Sequence, residues 1–140
     1  MDQITVKAEA KVNPTEDEEK VKKAIQNVIL SPSFEVVPMD REKLVFATSN
    51  ERDGLAKLYN LFRQERILDA ARKALFEGLS GNTITFYLNK QVAYVGHVSF
   101  CKPAAESPLG PIRIEIACEN SQELINWLAP KTVGGRPVSE

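Results

Sequence analysis

Ile4, Val6, Ala8, Ala10 and Val12 alternate with Thr5, Lys7, Glu9 and Lys11, the period-two pattern of a strand with one face on a core and the other in water. A chain that opens this way must build a sheet and cover one side of it with apolar surface. The pattern returns near the other end, where Ile112, Ile114 and Ile116 point one way and Arg113 and Glu115 the other. Thr5, Lys7, Glu9, Arg113 and Glu115 therefore define an outer sheet face of mixed charge, facing solvent or a partner.

Helical patterns supply the cover. Asn13-Pro14 ends the first strand, and Thr15 with Glu18 has the spacing of a capping box, which predicts a helix from about Glu16. Val21, Ala24, Ile25, Val28 and Ile29 form its apolar stripe, and Glu16/Lys20, Glu18/Lys22 and Glu19/Lys23 are spaced as i,i+4 ion pairs. Phe34–Val37 and Lys43–Thr48 read as a hairpin across Pro38–Glu42. Asn50 is placed to cap a second helical region that runs to the stop signal at Gly78, and the apolar stripe loses phase near Glu65, where a bend or break is expected. Thr83–Leu88 is a strand, Asn89–Tyr94 a short helical turn, Val95–Cys101 and Ile112–Cys118 further strands, and Asn120 or Ser121 caps a last helix that ends at Pro130.

Strands grouped between helices, without regular βαβ alternation, predict an α+β fold: a mostly antiparallel sheet with helices packed on one face. The 140 residues suit one core. Residues 1–130 are read as a single domain and 131–140, with Gly134-Gly135 and Pro137, as a flexible C-terminal tail. No leader-like or membrane-spanning apolar run is present, and Cys101 and Cys118 lack disulfide or zinc-finger spacing, so a reducing, cytoplasmic location is expected.

The chemistry-bearing motifs are few. His97 and Cys101 lie four residues apart, about 13 Å along a regular strand. With Cys118 they leave a zinc site without a fourth ligand. GxSxG, phosphate-loop, GxGxxG and HExxH motifs are absent. The expectation is a protein that is not an enzyme and uses no metal or other cofactor. The formal net charge of −1 means that any nucleic-acid site must be a local patch.

Two such patches stand out. Arg63, Arg66, Arg72 and Lys73 are accompanied only by Glu65 and Asp69, and guanidinium groups suit bidentate contact with phosphate. Asn89, Lys90 and Gln91 add two amides and an ammonium, with Tyr87 and Tyr94 nearby as stacking surfaces. The opposing readings are ion pairing on a solvated helix face and backbone satisfaction in a tight corner.

The segments RQERILDAARKAL (Arg63–Leu75), GNTITFYLNKQVAYVG (Gly81–Gly96), ESPLGPI (Glu106–Ile112) and NWLAP (Asn126–Pro130) resemble a family of small archaeal proteins described as RNA-binding or as predicted exosome subunits. The resemblance runs over nearly the whole chain. It implies a fold similar to the ribosomal protein that binds 5S RNA, and a role in RNA processing, ribosome assembly or translation. Val92 stands where the family pattern has a small residue, and Lys102–Ala105 lengthen the loop before Glu106. On this reading Arg63, Arg66, Arg72, Lys73, Lys90 and Lys131 contact phosphate, and Asn82, Asn89 and Gln91 orient bases or sugars. The alternative is a protein-interaction module or homodimer that uses strand edges or the polar sheet face.

Overall fold

A computed structural model describes residues 3–102, 109–134 and 136–137. The opening strand, β1 (Ile4–Val12), buries every second residue, as its alternation requires. It lies between β3 (Lys43–Ser49) and β6 (Pro111–Cys118), antiparallel to both. β2 (Ser33–Pro38) pairs outside β3, β5 (Thr83–Asn89) outside β6, and the two-residue β4 (Leu79–Ser80) outside β5. The result is a six-stranded antiparallel sheet in the order β2-β3-β1-β6-β5-β4.

The helices cover the face that carries Val6, Ala8, Ala10, Val45, Ala47, Ile84, Phe86, Ile112, Ile114 and Ile116, all of them in one core with buried helix residues. These are α1 (Glu18–Gln26), α2 (Ala56–Gln64), α3 (Leu68–Glu77), α4 (Lys90–Tyr94) and α5 (Ser121–Leu128). The fold is thus the α+β arrangement expected from the element order. The predicted break near Glu65 is real: α2 ends there, Arg66 takes a left-handed φ of 57°, and α3 begins at Leu68.

The structure corrects four local expectations. The first helix starts at Glu18, capped by the Asp17 carboxylate, which accepts from the Glu19 N–H at 2.9 Å, so the cap is Asp17 and not Thr15. Asn50 does not cap either, since a 3₁₀ turn at Arg52–Leu55 leads into α2. Val95–Cys101 is not a strand: Gly96 turns the chain at φ 87°, and only Phe100 bridges to Leu88 on β5. In the expected tail, β7 (Thr132–Val133) pairs with β8 (Arg136–Pro137), and the Thr132 hydroxyl bonds the Asp69 carboxylate on α3. The Pro103–Ala105 part of the lengthened loop and the start of the ESPLGPI motif lie outside the described residues.

The opposite sheet face carries the anticipated charges in cross-strand register, Lys7 opposite Glu115 and Glu9 opposite Arg113. Phe46 lies opposite Glu9, and Tyr87 opposite Arg113. Burial would lower the Arg113 pKa, but hydrogen bonds to Tyr87 and Glu115 outweigh it and hold the guanidinium charge more firmly.

Candidate nucleic-acid interface

The carboxyl end of α5 organises the first predicted patch. A helix leaves its last carbonyl groups without intrahelical partners, and here two arginines supply them. Arg63, on α2, donates from Nη1 to Tyr59 O (3.0 Å) and Leu128 O (3.2 Å), and from Nη2 to Trp127 O (3.2 Å). Arg72, on α3, donates from Nη1 to Ala129 O and Asn126 Oδ1, both at 3.0 Å. These guanidiniums are braces between helices, Arg63 committed through both terminal nitrogens and Arg72 through Nη1.

Arg66 and Lys73 are exposed instead. Arg66 immediately precedes α3, and Lys73 lies one turn beyond Asp69 on the same helix. Because Asp69 holds Thr132, β7 rests against this part of α3 and brings exposed Lys131 and Arg136 to it. Four exposed cations, Arg66, Lys73, Lys131 and Arg136, thus lie at the start of α3, along it and on the hairpin that Asp69 holds to it, with Glu65 and Glu77 as the neighbouring acids in sequence.

The second predicted patch is a different object. The Asn89 side chain caps α4, accepting from the Val92 N–H at 2.9 Å. Lys90 is only 3% exposed. Its ammonium donates to Lys11 O (2.7 Å), Leu109 O (2.7 Å) and the Glu16 carboxylate (2.9 and 3.2 Å). An ammonium has three protons, and these acceptors use all of them. Lys90 is therefore a buried clasp joining the end of β1, the turn before α1, α4 and the approach to β6. It offers nothing to an external phosphate.

Glu16 completes the clasp by accepting from the Asn13 backbone N–H at 3.0 Å and from Asn13 Nδ2 at 2.6 Å. Burial pushes its carboxyl up, yet the Asn13 N–H, Lys90 and the Asn13 amide together bring it below the ordinary 4.5. The anticipated Glu16/Lys20 pair gives way to this one, while Glu18–Lys22 forms at 3.2 Å.

Gln91 is exposed on α4, which packs against α1, whereas α3 packs against α2, α5 and β5. Asn82 is exposed in the β4–β5 turn. That turn meets the amino end of α5, where Ser121 Oγ donates to Gly81 O at 3.0 Å. Of the nine predicted contact residues, the structure gathers Arg66, Lys73 and Lys131, adds Arg136, and leaves Asn82 and the Asn89–Gln91 corner elsewhere. His97 is exposed and lies 3.2 Å from Glu65, and no group of three or more His, Cys, Asp or Glu side chains suited to a metal occurs among the described residues. Nor is any helix among them long and apolar enough to cross a membrane.

Residues 5–118 match a sequence family described as RNA binding. The chain is also 44% identical to a UPF0201 protein of Aeropyrum pernix over 98% of its own length and 92% of that protein's. A UPF0201 protein of Thermococcus kodakarensis is 47% identical, over 95% of this chain and 94% of the relative. A solved UPF0201 structure from Methanococcus jannaschii superimposes with a TM-score of 0.87 at 36% identity, covering 96% of this chain and 99% of that one. A DUF54 protein from Methanothermobacter thermautotrophicus, 22% identical over 91% of this chain and 98% of its own, shares the fold with a TM-score of 0.60. The chain belongs to this RNA-binding family, whose archaeal relatives bear the name UPF0201.

Proposed function

We propose that the protein is a non-enzymatic RNA-binding protein that holds phosphates on Arg66, Lys73, Lys131 and Arg136 and serves RNA processing, ribosome assembly or translation. The observation that carries the reading is the family match over residues 5–118. The four exposed cations at the α3–β7 junction supply its chemistry, since neutralising phosphates releases counterions and drives sequence-independent binding. The internal arginines keep the framework rigid, which limits the ordering cost when RNA docks.

Fluorescence anisotropy with a labelled single-stranded RNA tests it. Replacing all four cations by glutamine is expected to weaken binding at least tenfold in low salt with the thermal midpoint held. Equal affinity of variant and wild type would remove the patch, and no RNA binding by the wild type at low salt would remove the function.

A second reading, a homodimer or protein-interaction module, is favoured by one observation. The uncovered sheet face sets half-buried Phe46 and Tyr87 among opposed charges, Lys7 with Glu115 and Glu9 with Arg113. Such a face is self-complementary under a two-fold axis. Sedimentation velocity across a concentration series separates this reading from the first.

A further inference from the structure

Trp127 is the only tryptophan of the chain, and it lies within a column of flat groups. Its ring stacks on Tyr59 with centroids 4.9 Å apart and an interplanar angle of 30°. Arg63 Cζ lies 3.4 Å from the Tyr59 centroid, and Arg52 Cζ lies 4.2 Å from Trp127. A guanidinium that close to a ring occupies the face above it, so the order through the column is Arg63, Tyr59, Trp127, Arg52. The two ends differ. Arg63 is fixed by three carbonyl oxygens, whereas Arg52 Nε is buried with no hydrogen-bond partner among the described residues.

The Arg52 end meets a cleft between the start of β1 and the turn into α2, lined by Gln3, Ile4, Thr5, Asn50, Glu51 and Asp53 together with Arg52 itself. Its volume is about 800 Å³, within the roughly 300–1,000 Å³ range of small-ligand sites. We infer that this cleft takes an unpaired nucleobase of bound RNA, stacked on the Arg52 guanidinium as the next layer of the column. Unstacked bases pack on aromatic rings and on guanidinium planes. The rest of the lining fits a base edge: the Gln3 and Asn50 amides each present a donor and an acceptor, Thr5 a hydroxyl, and Glu51 and Asp53 accept from ring or exocyclic N–H groups. One cation against two carboxylates makes the cleft a poor phosphate site, so base and phosphate are recognised in different places.

The inference rests on the RNA-binding reading and extends it. Trp127 and Lys131 are four residues apart, at most about 14 Å of chain, so a single strand that crosses the cationic patch and continues past Trp127 reaches the cleft with a base further along.

Because Trp127 is unique, its emission reports on the column directly. Wild-type protein is titrated separately with guanosine, adenosine, cytidine and inorganic phosphate, while NMR follows the side-chain amides of Gln3 and Asn50. The expected result is saturable quenching and amide shifts with at least one nucleoside and none with phosphate. The nucleoside affinity should fall fivefold or more in Arg52→Gln. If millimolar nucleosides move neither Trp127 emission nor the two amides while RNA still binds, the inference is overturned and the cationic patch stands. Perturbation by phosphate alone would also overturn it. Nucleoside binding without RNA binding would keep the cleft as a base site and remove the functional reading on which it was built.

Discussion

Replacing Lys90 by methionine is expected to lower the unfolding free energy by about 3–5 kcal/mol, the range for removing one partner of a buried ion pair. Methionine is close to lysine in length, so the loss is mainly electrostatic: Lys11 O, Leu109 O and the Glu16 carboxylate each lose a charged donor at once, and the Asn13 donors left on Glu16 carry no compensating charge. For a domain of this size such a loss lowers the thermal midpoint by about 10 °C or more. The double substitution Lys90→Met/Glu16→Leu should recover part of the loss, because it no longer buries an unpaired carboxylate. Thermal and urea unfolding of the wild type, two single variants and the double variant form a cycle whose coupling term measures the clasp.

The same clasp has a pH signature. The folded-state pKa of Glu16 lies below its ordinary 4.5, so the stabilisation is present above the unfolded value and lost as pH falls through the folded one. Stability should therefore decline as pH drops below about 5, and the decline should be shallower in Glu16→Gln. The comparison with that variant is needed because Glu18, held by Lys43 and Lys22, is also lowered and contributes with the same sign.

Gly78→Ala should be comparably severe for a different reason. Gly78 caps α3 with an ordinary φ of −92°. Backbone conformation does not demand glycine there. Contact does: a Cβ would lie 1.7 Å from Thr85 O and 2.8 Å from Thr85 C. Thr85 also donates its N–H to Gly78 O at 3.0 Å, so the end of α3 is pinned against β5 and neither backbone can yield without breaking a ladder. A loss of about 3 kcal/mol or more is expected, at or beyond the upper end for overpacking. Gly81→Ala is the control: its φ of 58° is strained for alanine but nothing lies within 4 Å of the new Cβ, so its cost stays near 1 kcal/mol. Urea unfolding followed by circular dichroism ranks the two.

These two residues mark where sequence reading runs out. Periodicity carried the sheet and its two faces, because the alternation in β1 and β6 is imposed by local geometry. The break at Glu65 was also legible, since it interrupts an apolar stripe. Lys90 was not, because a lysine beside two amides looks like surface, and its acceptors come from Lys11, Glu16 and Leu109, on distant stretches of chain. Arg63 and Arg72 looked like a phosphate patch for the same reason: the carbonyl groups that occupy them lie at Trp127–Ala129. Gly78 was read as a helix stop, and its close approach to Thr85 has no local signal. Arg136 falls in a Gly- and Pro-containing segment that resembles a tail, though the short spacing between Thr132–Val133 and Arg136–Pro137 around Gly134 is a hairpin signal. Arg52 carried no signal, because its partner Trp127 lies on a helix far along the chain.

Once Lys90 and the inner arginines are assigned to the framework, the functional claim rests on the outer cations. The salt dependence of RNA affinity tests it most directly, since each single-strand phosphate neutralised contributes about −0.7 to the slope of log affinity against log salt. Contacts by Arg66, Lys73, Lys131 and Arg136 predict a slope of about −2.8, falling by about 0.7 for each cation replaced by glutamine. A slope near zero, or one that survives replacement of all four, would contradict the account.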